Sequence, residues 1–408
     1  MVSPTTAPRP LDGIRVLELG NFIAAPTAGR IMAEFGAEVI KVERPRTGDE
    51  VRNWRLYGDS VSMMWRTLAR NKKSVTVDLR KPQARDVVHR LVRRCDVLLE
   101  NFRPGRLEAW GFTPDALRRE NPRLIIVRIS GFGQSGPYRD RVGFGGVAEA
   151  MGGLRGTTGY ADRPPTRVGV SIGDTLAGMY GVIGALMAMI SAQRAGTETV
   201  GETVDVALTE AVLSVMESLI PDYSAYGVVR ERTGNRIEGV APSNTYPCLH
   251  EEWVVIGGNG DSIFPRLMTA IGRDDLANDP SLQDNAGRVR RADELDDAIS
   301  AWTRERTASD VVERLVAEAV PAGPIYDARG IVGDAQFRDR SMVVEEVVSV
   351  RGEPKTVLFP GIVPRLERQP GRQDWLGPEL GAHTREVLGN LAELSEEDLD
   401  ELAREGVI

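Results

Sequence analysis

Two kinds of hydrophobic pattern alternate along the first half of the chain. Short apolar runs rich in β-branched residues have the length of buried strands. They lie at residues 14–19, 37–43, 74–79, 96–101 and 123–130. Stretches with helical spacing separate them, such as residues 24–36, which end on a glycine. Strands that alternate with helices predict right-handed βαβ crossovers, so we predict an α/β fold with a doubly wound parallel sheet up to about residue 210.

The pattern changes beyond residue 222, where polar connections lead into a smaller unit. A strand is predicted at residues 251–258, and the Pro/Gly segment "VPAGPI" at 320–325 is predicted to be a hinge. Helices are predicted at residues 264–272, 292–304 and 309–319, strands near 343–350 and 356–358, and an acidic helix at the C-terminus. We therefore expect a large domain at 1–215, a small α+β domain at 222–330, and a segment at 331–408 that returns to the large domain.

Composition narrows the possible partners. The chain has 408 residues with 51 Lys and Arg against 59 Asp and Glu, so its formal net charge is −8. This balance argues against nucleic acid as the main partner. The two cysteines, Cys95 and Cys248, lie far apart, and the three histidines are equally dispersed. Neither a disulfide framework nor a metal site is expected.

An uncharged run at residues 175–193 is almost long enough to span a bilayer. It is single, however, and it contains Gly178, Gly181 and Gly184 at helical spacing. We predict a buried helix whose glycines allow close backbone approach, and no membrane partner. The N-terminal "MVSPTTAPRP" lacks an apolar signal core, so a cytoplasmic location is expected.

Asp174 is the one acidic residue at the start of this run. Aspartate is a preferred N-cap, and the residue pattern alone favours a cap for a helix that begins at Thr175. A carboxylate at a helix N-terminus can also be a nucleophile in a dry site. Both interpretations stay open on pattern.

Two features suggest a nucleotide ligand. The segment "GFGQSG" at 131–136 matches G-x-G-x-x-G, but turn-forming residues follow it where a dinucleotide fingerprint needs a helix. Basic residues also flank several predicted strands: Arg44, Lys72, Lys73, Arg80 and Arg103. Singly these are solvated surface charges, whereas together they suit a polyanionic nucleotide at the carboxyl edge of a sheet.

A series of motifs along nearly the whole chain resembles the class III CoA-transferases, the CaiB–BaiF family. In order they are "LDGIRVLELGNFIAAP", "GAEVIKVERP", "RNKKSVTVDLR", "DVLLENFRPG", "NPRLIIVRISGFGQSGPY", "GD…AGMYG" and "LGPELGAHTREVL". The resemblance implies a Rossmann-like large domain, a smaller domain and an interlocked homodimer. It also implies that Asp174 attacks an acyl-CoA thioester, giving a mixed anhydride and then an aspartyl-CoA thioester, which a carboxylic acid acceptor resolves.

The same resemblance implies the contacts to coenzyme A, which is a substrate here and not a tightly bound cofactor. The corresponding residues are Ile23, Ala24, Arg44, Val77, Leu79, Arg80, Asn101, Phe102, Arg103 and Phe144. The partners implied are an acyl-CoA donor and a small carboxylic acid acceptor.

Two alternatives remain. An α-methylacyl-CoA racemase shares the fold but needs a histidine where this chain has Phe144, and a phenyl ring cannot transfer a proton. A non-catalytic acyl-CoA binder would lack the nucleophile.

Gly145 stands where the family commonly has an aspartate, and "GVAPSNTY" lacks the glycine run of formyl-CoA transferase, which puts formyl-CoA and oxalate in doubt.

Overall fold

The structure is a computed structural model that describes residues 8–57, 61–196 and 200–408. It divides into two compact units. The first comprises Met1–Leu154, Val168–Leu219 and Arg340–Ile408, and the second comprises Arg155–Arg167 and Ile220–Asp339. Residues 155–167, which the sequence pattern placed in the large domain, group with the second unit.

The strands are β1 (Arg15–Glu18), β2 (Glu38–Glu43), β3 (Lys72–Thr76), β4 (Val97–Glu100), β5 (Ile125–Ser130), β6 (Thr203–Ala207), β7 (Ser243–Pro247), β8 (Trp253–Gly257), β9 (Ala322–Pro324), β10 (Val343–Val350) and β11 (Glu353–Pro360). The helices are α1 (Ala24–Glu34), α2 (Met63–Leu68), α3 (Ala84–Val92), α4 (Arg106–Ala109), α5 (Pro114–Glu120), α6 (Gly145–Met151), α7 (Leu154–Thr157), α8 (Ile172–Ala195), α9 (Leu208–Leu213), α10 (Leu219–Tyr226), α11 (Phe264–Ala270), α12 (Asp274–Ala277), α13 (Asn285–Arg290), α14 (Ala292–Thr303), α15 (Ala308–Ala317), α16 (Ala328–Gly333), α17 (Ala335–Asp339), α18 (Thr384–Leu391) and α19 (Glu396–Arg404).

Six parallel strands form the sheet of the first unit, in the order β3-β2-β1-β4-β5-β6. This is the order of the doubly wound, Rossmann-like fold, so the predicted parallel sheet is confirmed. The direction of winding reverses between β1 and β4, where the loops that follow the two strands diverge. Ligands of open α/β sheets bind at such a switch point.

Helices cover both faces of this sheet. On one face α1, α8 and α9 pack over side chains such as Val16, Val39 and Val127. On the other face α3, α5, α18 and α19 pack over Leu17, Ile40 and neighbouring strand residues. The alternation of side chains along each strand sends successive residues into two different cores, which is why apolar residues occur at adjacent positions of these strands.

Helix α8 is packed into the core along its glycine face. A β-carbon added at Gly178 would lie 2.6 Å from the carbonyl oxygen of Ala24, and one at Gly184 would lie 2.3 Å from Val204 Cγ1. Among the described residues it is the one helix long and apolar enough, by length and composition, to cross a membrane. The glycine contacts with α1 and β6 confirm the predicted buried helix in part, because the helix is buried along this face only. Its other face exposes Met179, Ile183, Met187 and Ile190.

The second unit holds a three-stranded antiparallel sheet in the order β7-β8-β9. Helices α11, α14 and α15 pack with it around Tyr246, Leu267 and Leu295. The hinge predicted at 320–325 is wrong, because β9 pairs with β8 within this segment. Strand β9 is at the sheet edge and Pro324 is its last residue, positions where a missing N–H costs little.

The C-terminal segment contributes the hairpin β10–β11 and two helices to the first unit. Helix α18 lies beside β3, where the N–H of Thr76 donates to Thr384 Oγ1 at 3.0 Å and the N–H of His383 donates to the carbonyl of Ser74 at 2.9 Å. Ser395 starts α19 with a capping box, as an N-terminal serine followed three residues later by Asp398 indicates.

Candidate active site

Asp174 lies in the first turn of α8, as the third residue of the helix. The interpretation of Asp174 as the N-cap is wrong, because the helix begins at Ile172 and Ser171 occupies the cap position. Ser171 makes no side-chain capping bond. A carboxylate in the first turn is stabilised in its ionised form by the positive end of the helix dipole. The half-buried side chain of Asp174 lines a cavity.

The cavity around Asp174 has a volume of about 170 Å³. Gly145, the first residue of α6, forms the wall closest to the carboxylate. A β-carbon on Gly145 would lie 2.1 Å from Asp174 Oδ2, so any larger residue here would require the carboxylate to move from this position.

Two glycines bring two loops together at the same cavity. Gly131 follows β5, and a β-carbon on it would lie 2.6 Å from Gly143 Cα. Gly143 is restricted in the same way by Gly131. The glycines of "GFGQSG" and "RVGFGG" therefore permit contact between backbones. The helix that a dinucleotide fingerprint requires does not follow, since α6 begins only at Gly145.

The turn between β1 and α1 forms a further wall. Asn101, which follows β4, holds this turn: its Oδ1 accepts from the N–H of Asn21 at 2.8 Å, and its Nδ2 donates to the Asn21 carbonyl at 2.7 Å. Phe22 has a φ of +63°, a left-handed conformation, and its N–H donates to Asp49 Oδ1 at 3.2 Å. Two side chains from outside the turn thus fix the backbone that presents Ile23 and Ala24 to the cavity.

A buried ion cluster lies beneath this turn. Lys41 Nζ is 2.9 Å from Asp49 Oδ2 and 3.3 Å from Glu18 Oε1, and it donates to the carbonyl of Gly20. Burial alone would lower the pKa of Lys41, but the carboxylates of Asp49 and Glu18 outweigh it and raise that pKa. Lys72 Nζ is 2.7 Å from Glu18 Oε2, and burial lowers the pKa of Lys72 to about 8.

A second cavity, of about 410 Å³, opens beside the carboxyl ends of β2 and β3. Arg44, Arg80 and Arg106 provide its positive charge, and we call it the basic cavity. Arg80 is held by Asp78 through two bonds of 2.8 and 2.7 Å, while Arg44 pairs with Glu50. Both guanidinium groups are exposed to solvent, so a ligand phosphate can compete for them.

Each residue predicted to contact a substrate lines one of these cavities. Those around Asp174 are Ile23, Ala24, Asn101, Phe102, Arg103 and Phe144. Those in the basic cavity are Arg44, Val77, Leu79, Arg80 and again Phe102. Phe102 is shared, so the basic cavity adjoins the one that holds Asp174. The roles of these residues remain predictions.

Two basic residues that the sequence grouped with them lie elsewhere. Lys72 is buried in the ion cluster, and Lys73 pairs with Glu38 at 3.0 Å and Glu386 at 2.8 Å. Both belong to β3 itself rather than to the loop after it, so neither lines the basic cavity.

The structure adds residues that the sequence did not single out. Arg106 and Trp110 line the basic cavity, and the Trp110 ring packs edge-on against Phe102 with centroids 5.0 Å apart. Trp54 and Arg141 line the cavity of Asp174. The only signal for Arg106 and Trp110 in the sequence is that they follow Phe102 and Arg103 within the next eight residues.

A carboxylate in a cavity beside an arginine-lined, aromatic cavity at a sheet switch point agrees with one family of known proteins. Residues 11–384 match the family model for CoA-transferase family III. The chain belongs to CoA-transferase family III. This family III CoA-transferase moves CoA from an acyl-CoA donor to a carboxylic acid acceptor.

Individual relatives agree with the assignment. The transferase is 48% identical over 408 residues, the full length of both chains, to a succinyl-CoA–D-citramalate CoA-transferase of Chloroflexus aurantiacus. It is 38% identical over 409 residues, 99% of each chain, to the β subunit of a succinyl-CoA–L-malate CoA-transferase of the same organism. A crystal structure of a CaiB/BaiF family protein from Brucella suis matches with a TM-score of 0.82 and 32% identity, over 94% of this chain and 100% of that one.

Proposed function

We propose that Asp174 is the covalent nucleophile of this CoA-transferase. The observation that supports it is the position of its carboxylate, in the first helical turn of α8, in a cavity that shares Phe102 with the basic cavity. A ligand whose phosphates occupy the basic cavity would extend past Phe102 to bring its thioester to Asp174.

The reaction consists of four acyl transfers. A carboxylate oxygen of Asp174 attacks the donor thioester carbonyl, the C–S bond breaks, and a mixed anhydride and CoA thiolate form. The thiolate attacks the Asp174 carbonyl, which gives an aspartyl-CoA thioester and releases the donor acid. The acceptor carboxylate attacks this thioester, and the released thiolate then attacks the acceptor carbonyl. The acceptor leaves as its CoA thioester and the Asp174 carboxylate is regenerated, with no net proton transfer.

The chain's own groups support each part of this sequence. Arg44, Arg80 and Arg106 would pair with CoA phosphates, and Trp110 offers an aromatic edge next to them. Gly131 and Gly145 line the cavity of Asp174, and their backbone amides would serve as donors to an oxyanion. Coenzyme A acts as substrate throughout.

We infer that the donor is a dicarboxylic acyl-CoA such as succinyl-CoA and that the acceptor is a hydroxydicarboxylic acid. The support is the pair of relatives with the identities given above, which are named for succinyl-CoA with citramalate and with malate. A panel of donors against mono- and dicarboxylic acids, read by mass spectrometry, tests this inference.

We also propose that the enzyme is an interlocked homodimer. The exposed apolar face of α8 supports an interface, because four large side chains of one helix are exposed on the same side. The domain division supports interlocking: a polypeptide of 120 residues, Ile220–Asp339, leaves the first unit and returns at Arg340.

The decisive test of the nucleophile is chemical trapping. Incubation with succinyl-CoA alone should modify one tryptic peptide, between Arg167 and Arg194, which contains Asp174. Hydroxylamine should convert the adduct to a hydroxamate, with a mass increase of about 15 Da at that aspartate. Asp174→Ala should lose transfer by roughly a thousandfold or more while it still binds CoA.

The exposed Asp297 on α14 provides the matched control, since Asp297→Ala should trap and transfer as wild type does. The proposal would be contradicted if Asp174→Ala transferred CoA at a rate close to wild type, or if the hydroxamate formed on another carboxylate. Rapid α-deuterium exchange in a 2-methylacyl-CoA with an unmodified Asp174 peptide would do so as well.

A further inference from the structure

The charges around Asp174 are unequal. Among the described residues that line its cavity, Asp174 is the one carboxylate, and Arg103 and Arg141 are the two cations. Among these described residues the positive charges therefore outnumber the negative one. A second negative charge on the substrate would balance this excess.

The two arginines differ in their partners. Arg103 donates from Nη2 to the carbonyl oxygen of Asp140 at 2.5 Å, and the family resemblance gives it to CoA. The Arg141 guanidinium instead lies over the ring of Tyr138, with Cζ 3.4 Å from the ring centroid. Within the described part of the chain no carboxylate forms an ion pair with Arg141. The adjacent Asp140 carboxylate is taken by Arg139 at 3.5 Å.

Stacking orients Arg141 without consuming its hydrogen-bond donors. The Tyr138 ring is itself held edge-on by Phe132, with centroids 5.9 Å apart. A guanidinium stacked by its face keeps the N–H groups of its edge for a planar acceptor, and two parallel bonds to a carboxylate are the best match. Arg141 is therefore a preformed half of a carboxylate-binding pair.

We propose that Arg141 binds the distal carboxylate of the acyl group and so selects dicarboxylic over monocarboxylic substrates. The inference rests on the proposed role of Asp174, because the reacting carbonyl must be at Asp174 for the far carboxylate to reach a second group in the same cavity. Donor and acceptor use the site in turn, so one arginine serves both half-reactions. Arg141 is a specificity-determining residue and takes no part in bond making.

The test compares two donors of equal chain length, succinyl-CoA and butyryl-CoA, which differ by one carboxylate. The measurement is the second-order rate constant for acylation of Asp174 by donor alone, a single-turnover reaction that needs no acceptor. In Arg141→Gln the value for succinyl-CoA should fall by about 10- to 100-fold, as expected for loss of a charge-assisted pair. The value for butyryl-CoA and the inhibition constant of free CoA should not change.

Arg139→Gln is the control, because Arg139 is a neighbouring exposed arginine that does not line the cavity. It should keep the wild-type preference for succinyl-CoA, and Arg141→Lys should recover part of that preference. An equal loss with both donors, or weaker inhibition by CoA, would assign Arg141 to the CoA moiety and overturn the inference. An unchanged succinyl-CoA value would overturn it too.

Failure of this inference is distinguishable from failure of the proposed nucleophile. If wild-type enzyme is trapped at Asp174 but Arg141→Gln keeps its donor preference, only the role of Arg141 is wrong. A further outcome is that butyryl-CoA does not acylate the wild-type enzyme at a measurable rate. In that case, a lower acylation rate of Arg141→Gln with succinyl-CoA and an unchanged inhibition constant of free CoA would together support the role of Arg141. If no hydroxamate forms at Asp174 in the wild type, both proposals fall.

Discussion

At the scale of single residues, the nucleophile depends on a neighbour that has no side chain. Gly145 is buried against Asp174, and its Cα hydrogen faces the carboxylate. Carboxylate orientation decides whether the attacking oxygen reaches a thioester, and errors of about 1 Å in such geometry cost catalysis heavily. Even the smallest substitution at Gly145, to alanine, should therefore slow the chemical step.

We expect Gly145→Ala to lower kcat by at least about tenfold, because the new methyl group must displace the carboxylate. The inhibition constant of free CoA should stay at the wild-type value. Gly333→Ala is the control, since a β-carbon there meets no atom within 4 Å. A normal kcat in Gly145→Ala would show that Asp174 can turn without loss of function.

The arginines of the basic cavity lead to a second prediction. Arg44→Ala and Arg106→Ala should each raise KM for the CoA donor with a smaller effect on kcat, since each loss of a charged contact costs roughly 1.5–3 kcal/mol. Steady-state kinetics with a shortened donor, an acyl-pantetheine thioester without the nucleotide, provide the check. The variants should match wild type with this donor, and a defect there would place these arginines away from the phosphates.

At the scale of elements, the turn between β1 and α1 is held by groups from other strands. Lys41 on β2, Asp49 after it and Asn101 after β4 all bond to residues 20–22. The turn has no regular hydrogen-bonding pattern of its own, and Phe22 is left-handed. A turn in such an irregular conformation persists only when contacts with surrounding residues hold it in place.

Lys41→Met should destabilise the fold by about 3–5 kcal/mol, because it leaves Glu18 and Asp49 buried without their shared counter-charge. It should also raise KM for CoA donors by loosening the turn. Lys73→Met on the adjacent strand is the control: its ion pairs are partly exposed, so about 1 kcal/mol or less is expected. Urea unfolding measures both, and equal losses would contradict the special role of the buried cluster.

At the scale of the whole molecule, the exposed face of α8 is the feature that a monomer leaves unexplained. Met187 is 65% exposed in the middle of this face. Large apolar side chains grouped on one helix face are typical of an interface between protein chains. The proposed homodimer would bury them.

Wild-type protein should therefore have the mass of a dimer in light scattering at micromolar concentration. Met187→Lys should shift it towards monomer or lower its yield, because a buried ammonium without a partner opposes association. Gln193→Lys places the same charge at an exposed polar position of α8 and should stay dimeric. A wild-type monomer would contradict the proposal.

Local sequence pattern was sufficient for most elements and for the family. The strands after residues 14, 37 and 123 are buried on both faces, so their apolar runs identify them without knowledge of their partners. The start of α5 depends on an equally local signal: Thr113 precedes Pro114, and its side chain accepts from the N–H of Ala116. Such signals lie within a few residues, where the chain's own geometry suffices.

Tertiary structure decided what depends on residues far apart in the chain. The start of α8 at Ile172, and hence the place of Asp174 inside the helix, could not be read from cap preference. The pairing of β9 with β8 replaced the hinge that its prolines and glycine suggested, since strand pairing is non-local. Arg106 and Arg141 gained their proposed roles only because the strand order brings the loops after β4 and β5 to one edge of the sheet. A sequence records which side chains are available, but the distances between them follow from packing.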